Sequence, residues 1–230
     1  MIINTVVTGI ICIAIGYLLG AIPSAYVITR VVAGRDIRSV GTSHLGRGNV
    51  GARNVFVNVG KAAGIGVGAF DVAKGAGAAL IARWLLGWSA LLQDPLPGAG
   101  YFVLAAGLAA VVGHIWPVYL GFKGGNGLAT SIGVLAATMA LELVVAIGVV
   151  IILALVLRNL VLSANIAVVS TAIWGWFFEQ AWWAVLFPIV LVLVMGVHFL
   201  PNIRGDMAEA GSKRGFLARL TRRDRSRGQA

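Results

Sequence analysis

The sequence predicts an all-α integral membrane protein with about seven transmembrane helices, some of them short, an external N-terminus and a cytoplasmic C-terminus. Three observations carry this expectation. Of the 230 residues, 59% are hydrophobic and only 11% are charged, too apolar a balance for an ordinary soluble domain. Long apolar runs cover roughly 5–28, 62–92, 101–120, 128–157, 160–178 and 182–200. Each is near or above the ~20 residues of a spanning helix, and none alternates with the period of two that a strand requires. The formal charge of +10 sits in the connections and the tail. Positive-inside topology explains that placement better than nucleic-acid binding does.

The first run, about Ile3 to Val32, has no basic segment before it and no small-residue cleavage site after it, so it reads as a retained helix. Cys12 stands alone within it, which excludes a disulfide framework or a paired-thiol site. Near its end the segment GAIPSAY, Gly20 to Tyr26, places Pro23 where it should kink the helix. Ser24 either returns its hydroxyl to the backbone, the favoured reading because no histidine and acid lie near it in sequence to activate it, or serves as a catalytic serine.

The polar connection from Gly34 to Lys61 carries Arg35, Arg38, Arg47, Arg53 and Lys61 against a single acid, Asp36, and is expected to be cytoplasmic. Its centre, GRGNVGARNV from Gly46 to Val55, alternates glycines with Arg47, Asn49, Arg53 and Asn54. Donors of that kind suit several oxygen acceptors at once. The second span opens on Gly60, Gly64 and Gly68, a spacing that suits helix packing. Within it, Asp71 and Lys74 lie three residues apart on one helical face and are expected to pair. Ionisable residues inside a span usually face a polar cavity, which favours a site role.

Residues 88–100 contain Asp94, Pro95 and Pro97 but no basic residue, as an external loop should. The third span returns the chain to GHIWPVYLGFKGGNGLATSIG, Gly113 to Gly133, around which the other motifs are organised. Gly121, Gly124, Gly125 and Gly127 are expected to let backbone N–H groups approach a ligand. Lys123 adds a positive charge, and a helix beginning at Leu128 would turn its positive end toward a bound anion.

The run 128–157 would be about 45 Å long as one helix, against ~30 Å of hydrocarbon. Splitting it near Thr138 to Glu142 gives seven helices. It also leaves Arg158 and the basic tail inside and Glu179 outside. The last span ends at MGVHFLPNIRGD, where His198 either closes a helix C-terminus or serves the site beside Asn202 and Arg204. The chain thus divides into a membrane domain, 1–204, and a basic tail, 205–230, read as disordered and lying near anionic headgroups. No internal repeat supports a transporter.

GAIPSAY, GRGNVGARNV, FDVAKG and GHIWPVYLGFKGGNGLAT, in this order and followed by HxxxN, resemble the bacterial acyl-phosphate-dependent glycerol-3-phosphate acyltransferase family. The resemblance covers Gly16 to Arg204. It implies a seven-helix membrane enzyme of the bacterial inner membrane with its active site toward the cytoplasm. Such an enzyme moves a fatty acyl group from acyl phosphate to the 1-hydroxyl of glycerol 3-phosphate, giving lysophosphatidic acid and phosphate.

Carried over residue by residue, the resemblance implies catalytic roles for His198, Asn202, His114 and Asn49. Substrate-phosphate contacts fall to Lys123, Gly124, Gly125, Asn126, Gly127, Arg47, Gly48, Gly51, Arg53 and Asn54, with Ser24, Asp71 and Lys74 in support. The general base is His198 or a substrate phosphate oxygen. The expected partners are the two substrates and membrane lipids, with no cofactor and no nucleic acid; the acids are too scattered for a metal site.

The chain departs from the family pattern at Arg47 in place of serine, Arg53 in place of threonine, Val57 in place of arginine and Asn126 in place of lysine. It also has HxxxN in place of HxxN. Arginine does not reproduce serine or lysine contacts. Two alternatives therefore stand beside the main reading: a relative with a different acyl acceptor, and a non-catalytic membrane paralogue that binds lipid or phosphate.

Overall fold

The structure, a computed structural model, describes residues 2–40, 49–87, 99–157 and 160–210, with side chains described for all of these except 2, 161 and 199–210. Among the described residues the regular structure is entirely helical. Four stretches are long and apolar enough to cross a membrane: Ile3–Ala33, Lys61–Leu86, Ala99–Leu120 and Ala140–Leu157. Large apolar side chains such as Ile3, Ile10, Trp84, Leu155 and Val156 stand exposed on the outer faces. These observations match an all-helical integral membrane protein. The fold comprises two compact units, Met1–Ala140 with Leu193–Met195, and Leu141–Val192 with Gly196–Ala230.

In the first unit, α1 (Ile2–Ala21) packs on α5 (Ala99–Ile115), and α4 (Lys61–Leu86) contacts α1, α5, α6 (Leu128–Thr138) and the short α3 (Ala52–Asn58). Small residues allow these helix backbones to touch. A Cβ at Gly16 or Gly20 would overlap the carbonyl of Ala106 or Ala110 on α5. The α4–α6 crossing is reciprocal: a Cβ at Gly75 would overlap Thr130 O, and one at Gly133 would overlap Val72 O. The packing expected of Gly60, Gly64 and Gly68 is confined to Gly64, which sits on Phe56 of α3. Gly60 has open space around it, and Gly68 makes only an ordinary contact with Ala52. The neighbour at this end of α4 is a helix of 7 residues, too short to follow the whole stripe.

The first unit has two apolar clusters. One joins Cys12, Ala79, Ala82, Leu86, Ala99, Val103 and Ala106, so the lone cysteine is a packing residue. The other, Ala25, Ile37, Val50, Val55, Val67 and Leu120, lies beneath the polar connections and gives them a floor.

Both breaks expected in the helices occur. Pro23, with no N–H to donate, separates α1 from α2 (Ser24–Ala33). Helix α2 ends at Gly34, whose left-handed backbone aims its N–H at Arg30 O. Met139, with φ −142° and ψ 59°, separates α6 from α7 (Ala140–Leu157), inside the window set by bilayer thickness.

The second unit contains α7, α8 (Leu160–Glu179) and α9 (Trp182–Ala210). The α8–α9 turn is closed by Trp176 against Trp182, with ring centroids 5.1 Å apart. Helix α9 runs through His198 and on to Ala210. His198 therefore does not close a helix, and residues 205–210, expected to be irregular, are helical. The remainder of the tail, 211–230, lies outside the described residues.

Candidate active site

The break at Pro23 sets the innermost part of the site. Ending α1 at Ala21 leaves the carbonyl of Ile22 without a helical partner, and that oxygen accepts from Lys74 Nζ at 3.0 Å. Lys74 also pairs with Asp71 Oδ1 at 2.9 Å, as their spacing on α4 implied. The same carboxylate oxygen accepts from Ser24 Oγ at 2.7 Å, and His114 Nδ1 of α5 stands 3.6 Å away. All four side chains are buried. Ser24 thus bonds a carboxylate on another helix, 47 positions away, and not the local backbone. Asp71 sits between the serine and the histidine, so Ser24 is not paired with a histidine base as a nucleophile would be. The cavity bordered by Ser24, Lys74, His114, Pro117 and Gly124 measures about 10 Å³, room for about one water.

Above this cluster lies the glycine loop. The chain reverses through Gly121 (φ 61°) and Phe122 (φ 62°), and a bulky residue in this left-handed region is strained. The reversal is held by the N–H of Phe122 on Pro117 O at 2.9 Å and presents Lys123 to the exterior. The sequence suggested that Gly124 and Gly125 would offer free N–H groups. Instead they donate to Ile115 O at 3.0 Å and His114 O at 3.1 Å. Their lack of side chains matters for proximity: a Cβ at Gly125 would overlap His114 Nε2 and stand 2.7 Å from Val50 O. Gly127 (φ 81°) caps α6, whose first internal bond runs from Ser131 N to Gly127 O at 2.8 Å. The N–H groups of Leu128, Ala129 and Thr130 precede that bond and have no acceptor within the helix.

The first polar connection docks directly on this loop: Val50 N–H donates to Gly124 O at 3.3 Å. Asn54, offered by its sequence position to a phosphate, is turned inward. Its Nδ2 donates to Asn49 O at 2.9 Å, Val40 O at 3.2 Å and Ile37 O at 3.3 Å, and its Oδ1 accepts from Asn58 at 2.7 Å. It shapes the loop and leaves Asn49 half-buried. Asn49 Oδ1 is fully covered and has no hydrogen-bond partner among the described residues. A Cβ at Gly51 would stand 3.4 Å from that oxygen, and Arg53 is exposed.

At the other end of the connection Asp36 takes a two-pronged bond from Arg38, at 2.7 and 3.1 Å. This bond holds the Asp36 carboxyl below its ordinary pKa. The guanidinium carbons of Arg38 and Arg30 lie 5.4 and 6.0 Å from the centre of the Tyr26 ring.

The structure therefore brings Asn49, Gly51, Arg53, Asn54, Lys123, Gly124, Gly125, Asn126, Gly127, His114, Ser24, Asp71 and Lys74 into one unit. Arg47 and Gly48 lie outside the described residues. His198 and Asn202 are on α9, in the part assigned to the second unit. The Asn202 side chain is also outside the described residues. Sequence reasoning missed two backbone contributors, Ile22 O and Val50 N, and the bond from Tyr17 OH to Trp116 O at 2.9 Å, which ties α1 to the end of α5. Pro23 was the available signal for the first of these. The others depend on chain neighbours far apart in sequence.

Comparison with known proteins covers nearly the whole membrane region. A family model described as glycerol-3-phosphate acyltransferase matches residues 10–208. The chain is 36% identical over 209 residues to glycerol-3-phosphate acyltransferase 1 of Dehalococcoides mccartyi, spanning 88% of this chain and 93% of that protein. It is 40% identical over 192 residues to the glycerol-3-phosphate acyltransferase of Thermosynechococcus vestitus, spanning 81% and 85%. Among solved structures, it resembles PlsY (YgiH), an integral membrane glycerol 3-phosphate acyltransferase, in its glycerol 3-phosphate form. The TM-score is 0.72 at 30% identity, covering 88% of this chain and 92% of that one. The lysophosphatidic acid form gives a TM-score of 0.69 at 27% identity. With both helix breaks, the paired Asp71 and Lys74, and the docked glycine loops in place, these matches lead to one conclusion: the chain belongs to the glycerol-3-phosphate acyltransferase family.

Proposed function

We propose that this protein transfers a fatty acyl group from acyl phosphate to the 1-hydroxyl of glycerol 3-phosphate, releasing lysophosphatidic acid and inorganic phosphate. The observation that carries the reading is the bond from Val50 N–H to Gly124 O. It joins the loop bearing Asn49 to the loop bearing Lys123. Both substrates carry phosphate, and a cation held on a glycine loop beside a helix N-terminus suits such groups. The related structures in glycerol 3-phosphate and lysophosphatidic acid forms support the acceptor and the product.

An acyl phosphate is already activated, so positioning and charge stabilisation supply most of the required rate. The acceptor oxygen attacks the acyl carbonyl carbon, the carbon–oxygen bond to phosphate breaks, and the acyl group becomes an ester. The hydroxyl proton ends on the released phosphate, taken directly or through His198. Lys123 and Arg53 neutralise phosphate charge, with Asn126 in the position of a family lysine. The covered Oδ1 of Asn49 is an acceptor suited to a substrate hydroxyl. Arg47, Gly48 and Asn202 complete the proposed site. The chain crosses the bacterial inner membrane about seven times, with its N-terminus outside and its basic loops and tail in the cytoplasm, where the basic residues belong.

Phosphate release from palmitoyl phosphate by the purified protein in liposomes tests this reading. Acceptor-dependent release with lysophosphatidic acid as the lipid product is expected, and Lys123→Ala and Asn49→Ala should each lower it. Release that ignores glycerol 3-phosphate, or full activity in both variants, would overturn the assignment. A panel of other polar acceptors then tests the alternative raised by Asn126 and Arg53.

A further inference from the structure

We propose that His114 is a positioning residue, which transmits the buried Asp71 carboxylate to the phosphate-binding glycine loop and so sets the affinity for the phosphorylated acceptor. This inference rests on the proposed acyltransfer reaction and assigns a specific task to a histidine that its motif alone would rank as catalytic.

His114 is enclosed. It is 7% exposed, and the cavity beside it holds about 10 Å³, far less than a phosphate or an acyl group needs. Two contacts of its ring bear on the loop. Nδ1 stands 3.6 Å from Asp71 Oδ1, while Nε2 lies directly against the α-carbon of Gly125, where a Cβ would overlap it. The backbone of the same residue continues the connection. His114 O accepts from Gly125 N at 3.1 Å, Ile115 O accepts from Gly124 N at 3.0 Å, and Gly124 O accepts from Val50 N at 3.3 Å.

A line of contacts therefore runs from the Asp71 carboxylate through the imidazole and the two glycines to the Asn49 loop. Asp71 is itself fixed by donors from two helices, Ser24 Oγ and Lys74 Nζ. Lys123 and Asn126 flank the glycines that the ring supports. Rotating or deleting the imidazole removes the surface on which Gly125 rests, and the adjoining binding groups shift with it. A displacement of about 1 Å in such groups can cost about a hundredfold in rate or binding.

The test measures KM for glycerol 3-phosphate and kcat separately in His114→Ala, His114→Asn, Asp71→Asn and the Asp71→Asn/His114→Ala double variant, with palmitoyl phosphate as donor in liposomes. A merely destabilised protein loses active molecules, which lowers apparent kcat and leaves KM unchanged. A positioning loss raises KM. The expected result is a KM increase of about tenfold in His114→Ala and in Asp71→Asn, with kcat within about threefold of the parent. The double variant should be no worse than the worse single variant, because both act along one line of contacts. His114→Asn keeps a donor facing Asp71 but withdraws the ring from Gly125, so it should raise KM as His114→Ala does.

A loss confined to kcat, additive KM effects in the double variant, or an unchanged KM in His114→Ala would each overturn the inference. If the unmodified protein makes no lysophosphatidic acid, the proposed reaction itself is wrong. An active parent with an unaffected His114→Ala variant refutes only the positioning role.

Discussion

Asp71→Ala is expected to be the most damaging single truncation in the first unit, and its cost follows from the groups left behind. Asp71 is 1% exposed, and its Oδ1 receives Lys74 Nζ at 2.9 Å and Ser24 Oγ at 2.7 Å. Without the carboxylate, Lys74 keeps only the Ile22 carbonyl and stays buried, its side chain 4% exposed. Breaking a buried ion pair by removing one partner costs about 3–5 kcal/mol. For a chain of this size each kcal/mol is worth about 2–4 °C in Tm, so the predicted loss is about 6–20 °C. Tryptophan fluorescence during thermal unfolding in detergent reads this directly. The control is Asp71→Leu/Lys74→Met, which replaces both charges by apolar groups. Such exchanges are commonly neutral or stabilising, so the double variant should recover most of the lost Tm. An Asp71→Ala variant within about 2 °C of the parent, or a double variant as unstable as the single one, would refute the reasoning.

Gly125→Ala should disturb the loop, since its Cβ would overlap His114 Nε2 and stand 2.7 Å from Val50 O. Overpacking of this kind costs about 1–3 kcal/mol, and acceptor affinity in the acyltransfer assay is its readout. Gly133→Leu should force α4 and α6 apart because Val72 O already fills the space a Cβ needs; a lower Tm is expected, with retained stability counting against the close crossing. The Arg38 bond that depresses the Asp36 pKa stabilises the fold fully above the ordinary aspartate pKa of about 3.9, and that contribution is lost as pH falls through the folded value. Asp36→Asn should therefore narrow the stability difference between pH 6 and pH 3, although screening keeps the effect small at this exposed site. Truncation after Ala210 should leave acyltransfer largely intact, because it spares every proposed site residue; a folded but inactive truncation would place a required contact in 211–230.

Much of the fold was legible because the bilayer imposes simple constraints. Apolar runs must be helical to satisfy their own backbone, and their lengths must fit the hydrocarbon thickness. That arithmetic set the window, Thr138 to Glu142, in which the break at Met139 falls, Pro23 located the other, and helical spacing paired Asp71 with Lys74. The end of α9 was less legible. The segment MGVHFLPNIRGD read as the end of the last span, yet the helix continues to Ala210, since composition alone does not fix where a helix leaves the apolar phase.

Residue types near the site were also legible, but their orientations were not. The glycines at 124 and 125 read as free donors, whereas their N–H groups are engaged by His114 and Ile115. Asn54 read as a ligand group, whereas its side chain binds its own loop. Ser24 read as a locally satisfied hydroxyl, whereas it meets a carboxylate on another helix. The sequence by itself determined the helical membrane class, the positions of the breaks and the set of chemical groups available. Only the tertiary structure decided which of those groups face one another, because helix packing, with Gly75 against Thr130 and Gly133 against Val72, sets distances between residues that no local spacing encodes.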